Sequence, residues 1–436
     1  MPQFAEFGPA AAWLKRHPQV RCVDLLLADL MGIPRGKRVT AAELEGVHGS
    51  GLLLPGSMFA LDVLGGTVQS TGLGFDEGDA DRVCLPIAGT LVPVPWLGAD
   101  IAQMQVSMYE HDRTPFHGDP RHVLESVVAR FTALGLQPVM AVELEFYLVD
   151  RERTPAGHAQ PPRQPLTGRR EVKTQINSMQ ELDEYSAVLG AIAAAAREQD
   201  LPVGTVLAEY GPGQFEVNLH HVADPLLACD HAIRLKRLVK GVALQHGMEA
   251  TFMPKPYRDH AGSGAHLHVS VLDAQGRNIF AADDAAGSEQ LRHAIGGLAA
   301  TMNHAIATRA LPANPYRRFQ PGANVPVSPS WSVNNRGVAF RVPHGPPASR
   351  RVEHRIAGAD ANPYLLAAIV LAGMHLGITR QLDPGPVLAG NAYRDTAPTI
   401  PQSWPEALGV FERSEFAREY LGERFANLYA ATRRGE

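Results

Sequence analysis

The chain has few cysteines, and none of them stands near another. Cys22, Cys84 and Cys229 are the three cysteines in 436 residues. Because they are odd in number and widely spaced, a disulfide framework is not expected. No CxxC pair occurs, so the usual signature of a structural zinc site is missing as well.

Long apolar runs and an excess of positive charge are also lacking. The longest apolar stretch, residues 364–378, is interrupted by His375 and falls short of the roughly 20 residues that span a membrane. The formal net charge is −5, which provides no basic surface of the kind that nucleic acids require. We therefore expect neither a membrane nor a nucleic-acid partner. Without a secretory pattern at the N-terminus, we expect a cytoplasmic location.

The common local motifs for nucleotides are absent too. The sequence contains neither GxxxxGK[ST] nor GxGxxG, so any ATP site would not be a P-loop. What remains is a chain with 45% apolar and 19% charged residues, a composition typical of globular proteins.

Two glutamates stand two residues apart in an otherwise apolar segment, residues 140–148. In a strand, alternate side chains point to opposite faces, so Glu143 and Glu145 would lie side by side with an apolar face behind them. Two carboxylates about 4 Å apart repel by roughly 4 kcal/mol at an effective dielectric near 20. Either one of them takes up a proton or a cation sits between them, and at a functional site a divalent metal is the usual answer.

Three further segments combine an apolar face with an unusual polar face. Taken singly, each is most simply a half-exposed strand, but four such segments together predict a shared cavity. Their polar residues are Glu209 and Glu216 around a Gly-Pro-Gly turn, His266, His268 and Ser270 on a second strand, and Arg351, Glu353 and Arg355 on a third.

The order of the elements predicts an α+β fold with two domains. Residues 1–112 read as a small β-rich domain, and a polar segment up to Pro120 separates it from residues 113–436, where antiparallel strands are backed by helices. Asp119 and Pro120 form a good helix start. Further helices are predicted at residues 179–199, 225–245, 287–310 and 362–378, and a capping box at Ser403 to Glu406 is predicted to open the tail.

If the strands line one concave surface, the carboxylates and one imidazole converge. Oxygen-rich ligation of this kind suits Mg²⁺ or Mn²⁺, and five carboxylates suggest more than one ion, as in phosphoryl transfer. Several arginines would face the same cavity, either to neutralise the glutamates or to hold phosphate and carboxylate groups. These arginines are Arg318, Arg336, Arg341, Arg351 and Arg355.

These motifs resemble the glutamine synthetase family over most of the chain. Glu143-Leu144-Glu145 resembles the ExE strand of the family, and Glu209 through Glu216 its second acidic motif. Lys255-Pro256 followed by Gly262 to Ser270 is similar to the nucleotide-binding signature. The remaining matches are Asn314 to Gly322, Asn335 to Pro343, Arg351 to Arg355, and Asn362-Pro363-Tyr364-Leu365.

The resemblance implies a β-grasp-like N-terminal domain, a catalytic domain with a curved antiparallel sheet, and homo-hexamers or homo-dodecamers with active sites between subunits. It also implies ATP-dependent transfer of the γ-glutamyl group of L-glutamate through γ-glutamyl phosphate. Carried over by position, Glu145, Glu209 and Glu216 would hold one metal ion, and Glu143, His266 and Glu353 another. His268, Ser270, Arg336, Arg341 and Arg351 would serve ATP, with Arg336 and Arg341 acting in catalysis, and Gly262, Arg318 and Arg355 would hold glutamate.

The chain departs from the family where ammonium would bind. Ammonium-using members have acidic residues where this sequence has Pro55, Ile87 and Asn324. An Asn can neither take a proton from an ammonium ion nor match its charge fully. The hypothesis is therefore an organic amine acceptor, either a monoamine or a polyamine, and a γ-glutamylamine or γ-glutamylpolyamine product.

Three other interpretations remain open from the sequence. Pro55 and Asn324 disfavour an ordinary ammonia-using glutamine synthetase. A non-catalytic, ring-forming homologue predicts scrambled metal positions, yet all six proposed ligands are present. A metallohydrolase with the same carboxylates would need no arginines for glutamate and would turn over without ATP.

Overall fold

Two β-sheets organise the protein, each built from one part of the chain. The computed structural model describes residues 4–172, 176–309, 314–319 and 325–435. Within these ranges, residues 22–109 form a six-stranded sheet and residues 137–354 an eight-stranded sheet, with helices packed against both. The α+β class predicted from the sequence is confirmed.

The first sheet has the order β2-β1-β6-β4-β3, and the short β5 pairs with β6. Its neighbours are antiparallel except for β1 and β6, which run parallel. The proline-rich segment after Leu91, which the sequence predicts as an edge or a loop, contributes the two-residue β5. The strands are β1 (Cys22–Ala28), β2 (Pro34–Thr40), β3 (Leu52–Pro55), β4 (Asp81–Pro86), β5 (Val92–Pro93) and β6 (Ile101–Tyr109).

The second sheet has the order β12-β13-β14-β11-β7-β9-β8, and β10 pairs with one end of β7. It is antiparallel apart from the parallel pair β12 and β13, a local exception to the predicted arrangement. The strands are β7 (Gln137–Asp150), β8 (Val203–Ala208), β9 (Gln214–Leu219), β10 (Met248–Thr251), β11 (Ala265–Leu272), β12 (Trp331–Val333), β13 (Phe340–Val342) and β14 (Val352–His354).

The helices begin where the sequence supplies caps. Asp119 accepts a hydrogen bond from the backbone N–H of Arg121 and opens the third helix, and Asp224 and Asn362 cap two others in the same way. The helices are α1 (Phe7–Arg16), α2 (Leu44–Ser50), α3 (Pro120–Ala133), α4 (Met179–Glu184), α5 (Ser186–Glu198), α6 (Pro225–Gln245), α7 (Glu289–Arg309), α8 (Pro363–Arg380), α9 (Ala392–Asp395), α10 (Trp404–Glu412), α11 (Glu415–Leu421) and α12 (Glu423–Arg434).

The core is centred on α8, which packs closely against α7. Glycines make the approach possible: a Cβ on Gly297 would lie 2.0 Å from the carbonyl oxygen of Gly373, and one on Gly377 would lie 2.0 Å from that of His293. By length and composition, α8 is the one helix among the described residues that could cross a membrane, but 72% of the relevant window is buried inside the protein. The apolar composition of α8 is therefore explained by its position in the core of the protein.

Two details of the predicted helices are wrong. The helix predicted over residues 179–199 is two helices, α4 and α5, which meet at Tyr185, a fully buried residue whose ring contacts Phe215. The capping box at Ser403 does not form, because the Ser403 side chain makes no capping hydrogen bond. The Glu406 carboxylate instead accepts from the backbone N–H of Gln402, one residue earlier.

Buried polar contacts join the two sheets and fix their relative position. Arg237 of α6 donates to Asp24 of β1 at 2.6 Å and to Gln103 of β6 at 2.7 Å. Asn362, at the start of α8, donates to the carbonyl oxygen of Asp29 at 2.8 Å. Because these groups are largely removed from water, separating the sheets would leave charged and polar atoms unpaired.

Candidate functional site

A cavity of about 590 Å³ opens on the eight-stranded sheet. Its walls come from β7, β9, β11, β13 and β14 together with the loops around Glu209, Gly262 and Arg336. The sequence-predicted residues that line it are Glu143, Glu145, Glu209, Glu216, Gly262, His266, His268, Arg318, Arg336, Arg341, Arg351, Glu353 and Arg355. Acidic and basic side chains from distant parts of the chain thus share one enclosure.

Strand register brings these side chains together. Glu143 of β7 is paired with His266 of β11, and Glu145 with Glu216 of β9. On the other side of β11, His268 is paired with Glu353 of β14. The alternate residues of β7, from Met140 to Leu148, are at most 1% exposed, so packing on the far face fixes which side chains point into the cavity.

One group of carboxylates is crowded, and no cation from the described residues forms an ion pair with any of them. Single oxygens of Glu145, Glu209 and Glu216 lie within 4.8 Å of one another. Burial, followed by the charges of the neighbouring glutamates, raises the pKa of Glu216 to about 9 and that of Glu209 to about 7. At neutral pH this group either keeps a proton or gains a cation.

A second group mixes carboxylate and imidazole. Glu143 has one oxygen 3.3 Å from Nδ1 of His266 and the other 2.8 Å from Nε2 of His268. Burial alone would raise the pKa of Glu143, but the contacts with the two histidines outweigh it and hold the pKa well below its usual value. Candidate ligand sets at this end are Glu143 with Glu216 and His266, and Glu143 with His268 and Glu353.

Glu353 is bracketed by arginines. Its side chain is 2% exposed, one oxygen accepts from Arg341 at 2.6 Å, and the other contacts Arg355. Burial opposes ionisation, yet Arg355 and the nearby histidines lower the pKa of Glu353 to about 2. Two of the five arginines therefore neutralise a glutamate in this structure, one of the two roles that the sequence left open.

The glycine loop at residues 262–264 lies against a buried arginine. A Cβ on Gly262 would lie 2.7 Å from the carbonyl oxygen of Pro254 and 2.8 Å from Cγ of Arg318, so no larger side chain fits without movement. Arg318 is 3% exposed, and its Nε is buried with no hydrogen-bond partner in the part of the chain that the structure describes. An anionic group entering the cavity would satisfy that donor.

Some sequence-predicted residues lie elsewhere. Ser270 shares the polar face of β11 but does not line the cavity. Pro55 ends β3 and Ile87 directly follows β4, both in the six-stranded sheet, and neither lines the cavity. Asn324 lies outside the described residues.

Several residues that contribute to the cavity were not predicted from the sequence. Asn218 lines the cavity two residues after Glu216, on the same face of β9, so strand alternation could have identified it. Gln214 holds the acidic end in place by donating to the carbonyl oxygen of Gly262 at 3.0 Å. Ile176, Tyr210 and Val325 add apolar surface to the wall, and they carry no pattern by which a single sequence would reveal them.

A comparison with known families identifies this architecture. The family model described as the catalytic domain of glutamine synthetase matches residues 117–436. The chain belongs to the glutamine synthetase family. Membership implies the use of ATP and a divalent metal, and the crowded carboxylates at Glu145, Glu209 and Glu216 fit such an ion by charge and by ligand type.

Within the glutamine synthetase family, the similar proteins include γ-glutamylamine-forming members. The chain is 42% identical over 424 residues to the γ-glutamylputrescine synthetase PuuA of Escherichia coli (strain K12), covering 97% of this chain and 90% of that protein. It is 31% identical over 432 residues to a glutamate–isopropylamine ligase of a Pseudomonas species, covering 96% and 91%. A solved GmaS/ADP complex has a TM-score of 0.85 at 28% identity, covering 98% of this chain and 95% of that chain.

Proposed function

We propose that this protein is an ATP-dependent ligase that joins the γ-carboxyl group of L-glutamate to an organic amine through γ-glutamyl phosphate. The observation that carries the proposal is a single cavity in which crowded carboxylates face buried arginines. Such a site suits the meeting of two anions, a nucleotide phosphate and a carboxylate. Similarity to PuuA along nearly the whole chain supports the same reaction class.

The arginines have distinct proposed tasks along the reaction. A carboxylate is a poor acyl donor until one of its oxygens becomes a leaving group, and transfer of phosphate from ATP achieves this. Arg318, which lies against Gly262, would hold the glutamate together with Arg355. Arg336 and Arg341 would stabilise the charge that develops during phosphoryl transfer. Arg351 and His268 would contact the nucleotide, and Ser270, on the same face of β11 but outside the cavity lining, would contact only a part of the nucleotide that extends beyond it.

The carboxylates and histidines would hold two or more Mg²⁺ or Mn²⁺ ions. Glu145, Glu209 and Glu216 form one proposed site, and Glu143, His266 and Glu353 the other. When bound, these ions would neutralise phosphate charge and orient the nucleotide. The raised pKa values of Glu209 and Glu216 support a bound cation, because a cation would offset both the burial of these carboxylates and the repulsion between them.

The acceptor is proposed to be an organic amine. Pro55, Ile87 and Asn324 replace groups that would attract and deprotonate ammonium, and apolar side chains such as Ile176 and Val325 contribute to the cavity wall. Two relatives, a γ-glutamylputrescine synthetase and a glutamate–isopropylamine ligase, support this class. Because the replacements remove negative charge, an amine bearing a single charge loses less attraction there than a polycation would.

The experiment is a phosphate-release assay with glutamate, ATP and Mg²⁺. Ammonium, isopropylamine, putrescine and longer polyamines are compared as acceptors, and the product is identified by mass spectrometry. We expect the best organic amine to exceed ammonium by more than about tenfold in kcat/KM, which corresponds to roughly 1.4 kcal/mol. Ammonium as the preferred acceptor would defeat the proposal, and no amine-dependent phosphate release would favour the non-catalytic homologue.

We also propose the assembly and the division of the chain. Residues 1–112 would form a β-grasp-like domain and residues 113–436 the catalytic domain, in a cytoplasmic hexamer or dodecamer. That Pro55 and Ile87 do not line the cavity of their own chain supports a site completed by a neighbouring subunit. Light scattering tests the subunit number. Mixing inactive Glu216→Gln chains with chains altered at residue 55 tests whether subunits complement one another.

A further inference from the structure

A second cavity, of about 410 Å³, lies where the two sheets meet. Its walls come from the β1–β2 turn at residues 31–34, from α6, from residues 251–253 at the end of β10, and from Asp360 just before α8. It shares no lining residue with the cavity described above. The β1–β2 turn lies close to the start of α8: Asn362 donates to the carbonyl oxygen of Asp29 at 2.8 Å, and a Cβ on Gly32, which has φ +71°, would lie 3.3 Å from the Cα of Asn362.

Positive charge dominates the α6 wall of this second cavity. Lys236, Arg237 and Lys240 fall on one helix face, since residues four apart are neighbours on a helix. Arg237 already binds Asp24 and Gln103. Lys240 is exposed and has no hydrogen bond or ion pair within the described part of the chain. Because Arg237 is paired with Asp24, the carboxylate of Asp360 faces the two lysines, and Lys240 remains able to bind an anion.

The buried end of this wall is incompletely paired. Lys236 is 9% exposed and donates to the carbonyl oxygen of Ala361 at 3.0 Å. Burial, partly offset by Asp360, lowers the pKa of Lys236 to about 7. A buried, incompletely paired ammonium group is stabilised by an additional anionic partner, because low-dielectric surroundings strengthen charge pairs and penalise unpaired charge.

The rim opposite the lysines is apolar. Ile33 and Met253 are 41% and 47% exposed, and Phe252 forms the floor beneath Lys236, whose Nζ lies 5.6 Å from the ring centroid. Apolar surface beside a cationic wall suits a ligand with a carboxylate at one end and a hydrocarbon portion at the other. An inorganic anion would leave the apolar rim unused.

The loop of residues 356–361 separates this second cavity from the first. On one side, Arg318 donates to the carbonyl oxygen of Ile356 at 3.4 Å, and the backbone N–H of Ala359 donates to Ser263 at 3.0 Å. On the other side, the same loop carries Asp360 and the acceptor of Lys236. The same short loop therefore contacts both a residue of the second cavity, Lys236, and a residue proposed to hold glutamate, Arg318.

We propose that the second cavity is a binding site for a small organic anion with an apolar portion, and that its occupancy alters glutamate binding through the loop of residues 356–361. The proposal that an anion binds rests on the cavity alone. The proposed change in glutamate binding rests on the proposed ligase function, so anion binding and its effect on glutamate are measured separately.

Binding is tested by calorimetry on the full-length wild-type protein with phenylacetate as the probe. Phenylacetamide, its neutral counterpart, and acetate, which lacks the apolar portion, serve as ligand controls. We expect saturable binding of phenylacetate and at least about tenfold weaker binding of both controls, as expected for loss of one charge-assisted contact or of the apolar contact. No saturable binding of phenylacetate would overturn the proposal.

Variants locate the bound probe. Lys240→Gln removes the unpaired cation, and Met253→Glu places a negative charge on the apolar rim; both side chains are exposed, so the fold is expected to persist. Each should weaken phenylacetate binding about tenfold, whereas Lys15→Gln on α1, a matched exposed lysine, should leave it unchanged. Binding that is insensitive to Lys240→Gln and Met253→Glu would mean that the probe sits elsewhere, and the site would be rejected.

Coupling is tested by steady-state kinetics. Saturating phenylacetate should change the KM for glutamate at least about twofold in the wild type but not in Lys240→Gln. A change that persists in Lys240→Gln would indicate direct competition at the catalytic cavity and would overturn the proposed coupling, as would binding without any change in KM.

Discussion

Replacing Glu216 by Gln tests whether the carboxylate cluster is built around a cation. Glu216 is 7% exposed and lies with Glu145 and Glu209 in a group of acids that has no ion pair with a cation in the described ranges of the chain. Gln preserves the size and shape of the side chain but cannot ionise. In the absence of metal, the substitution should therefore stabilise the fold, while in its presence the variant should lose a ligand.

The magnitude follows from the pKa of Glu216, which rises from 4.5 in an unfolded chain to about 9 in the folded one. The folded state therefore binds the proton more tightly, and folding stability falls as the pH rises from 4.5 towards 9. At pH 7 the difference amounts to about 2.5 pH units, or about 3 kcal/mol at 1.36 kcal/mol per unit. Gln avoids this cost, and the advantage should vanish near pH 4.5.

Thermal unfolding in EDTA at pH 5 and pH 8, repeated with Mg²⁺ at pH 8, measures the effect. In EDTA at pH 8, Glu216→Gln should melt several degrees above the wild type, whereas at pH 5 the two should nearly coincide. Added Mg²⁺ should raise the Tm of the wild type more than that of the variant, because ligands that bind only the folded state stabilise it.

Glu198→Gln serves as the control, because Glu198 is an exposed glutamate at the end of α5. It should leave the Tm and its dependence on pH and Mg²⁺ unchanged. If Glu216→Gln melts at or below the wild type in EDTA at pH 8, the crowding of carboxylates does not destabilise the metal-free protein, and the electrostatic argument for a cation site is refuted.

Three further substitutions test other parts of the structure. Gly262→Ala places a Cβ 2.7 Å from a backbone oxygen and against Arg318, so the KM for glutamate should rise at least about tenfold in initial-rate assays. Arg341→Lys cannot reproduce the two contacts of Arg341, to Glu353 and to Asn334; kcat should fall about a hundredfold, with the Mg²⁺-induced rise in Tm retained. Asn362→Ala removes the cap of α8 and the bond to the Asp29 carbonyl, which should cost about 2–4 kcal/mol in urea unfolding.

Each of these outcomes has a counterpart that would contradict it. Gly190→Ala is the control for Gly262→Ala, because Gly190 is a helical glycine with open space around its Cβ position. It should leave the KM for glutamate unchanged. An equal change in KM in both variants would show that crowding at Gly262 is not the cause. An Arg341→Lys enzyme with wild-type kcat would exclude a catalytic role for that guanidinium. An Asn362→Ala protein as stable as the wild type would show that water replaces both the cap and the contact between the sheets.

The features that the sequence predicted correctly are those that depend on residues close together in the chain. The face of β7 that carries Glu143 and Glu145 followed from alternation alone, because period-two burial is a local property of a strand. The start of α3 at Pro120 and both ends of α6 were predicted correctly for the same reason. The capping box predicted at Ser403 does not form. The spacing allows the Glu406 carboxylate to accept from the backbone N–H of either Ser403 or Gln402, and in the folded protein Gln402 is the donor.

Other features depend on residues far apart in the chain. The sequence placed Arg355 on the same face as Glu353, but it could not show that Arg341 also binds Glu353. Nor could it show that, among the described residues, no cation forms an ion pair with Glu145, Glu209 or Glu216. That difference sets the opposite pKa shifts of Glu353 and Glu216, and it arises from the registry of β13 and β14 against the rest of the sheet.

By itself, the sequence determined the α+β class, the family and which residue types face the cavity, because strand periodicity and motif identity are written in neighbouring positions. Tertiary structure alone decided which charges meet, and it created the second cavity between the β1–β2 turn, α6 and Asp360. The physical reason is that charge pairing and burial depend on distances of a few ångströms between segments that lie tens to hundreds of residues apart, and only the packed fold fixes those distances.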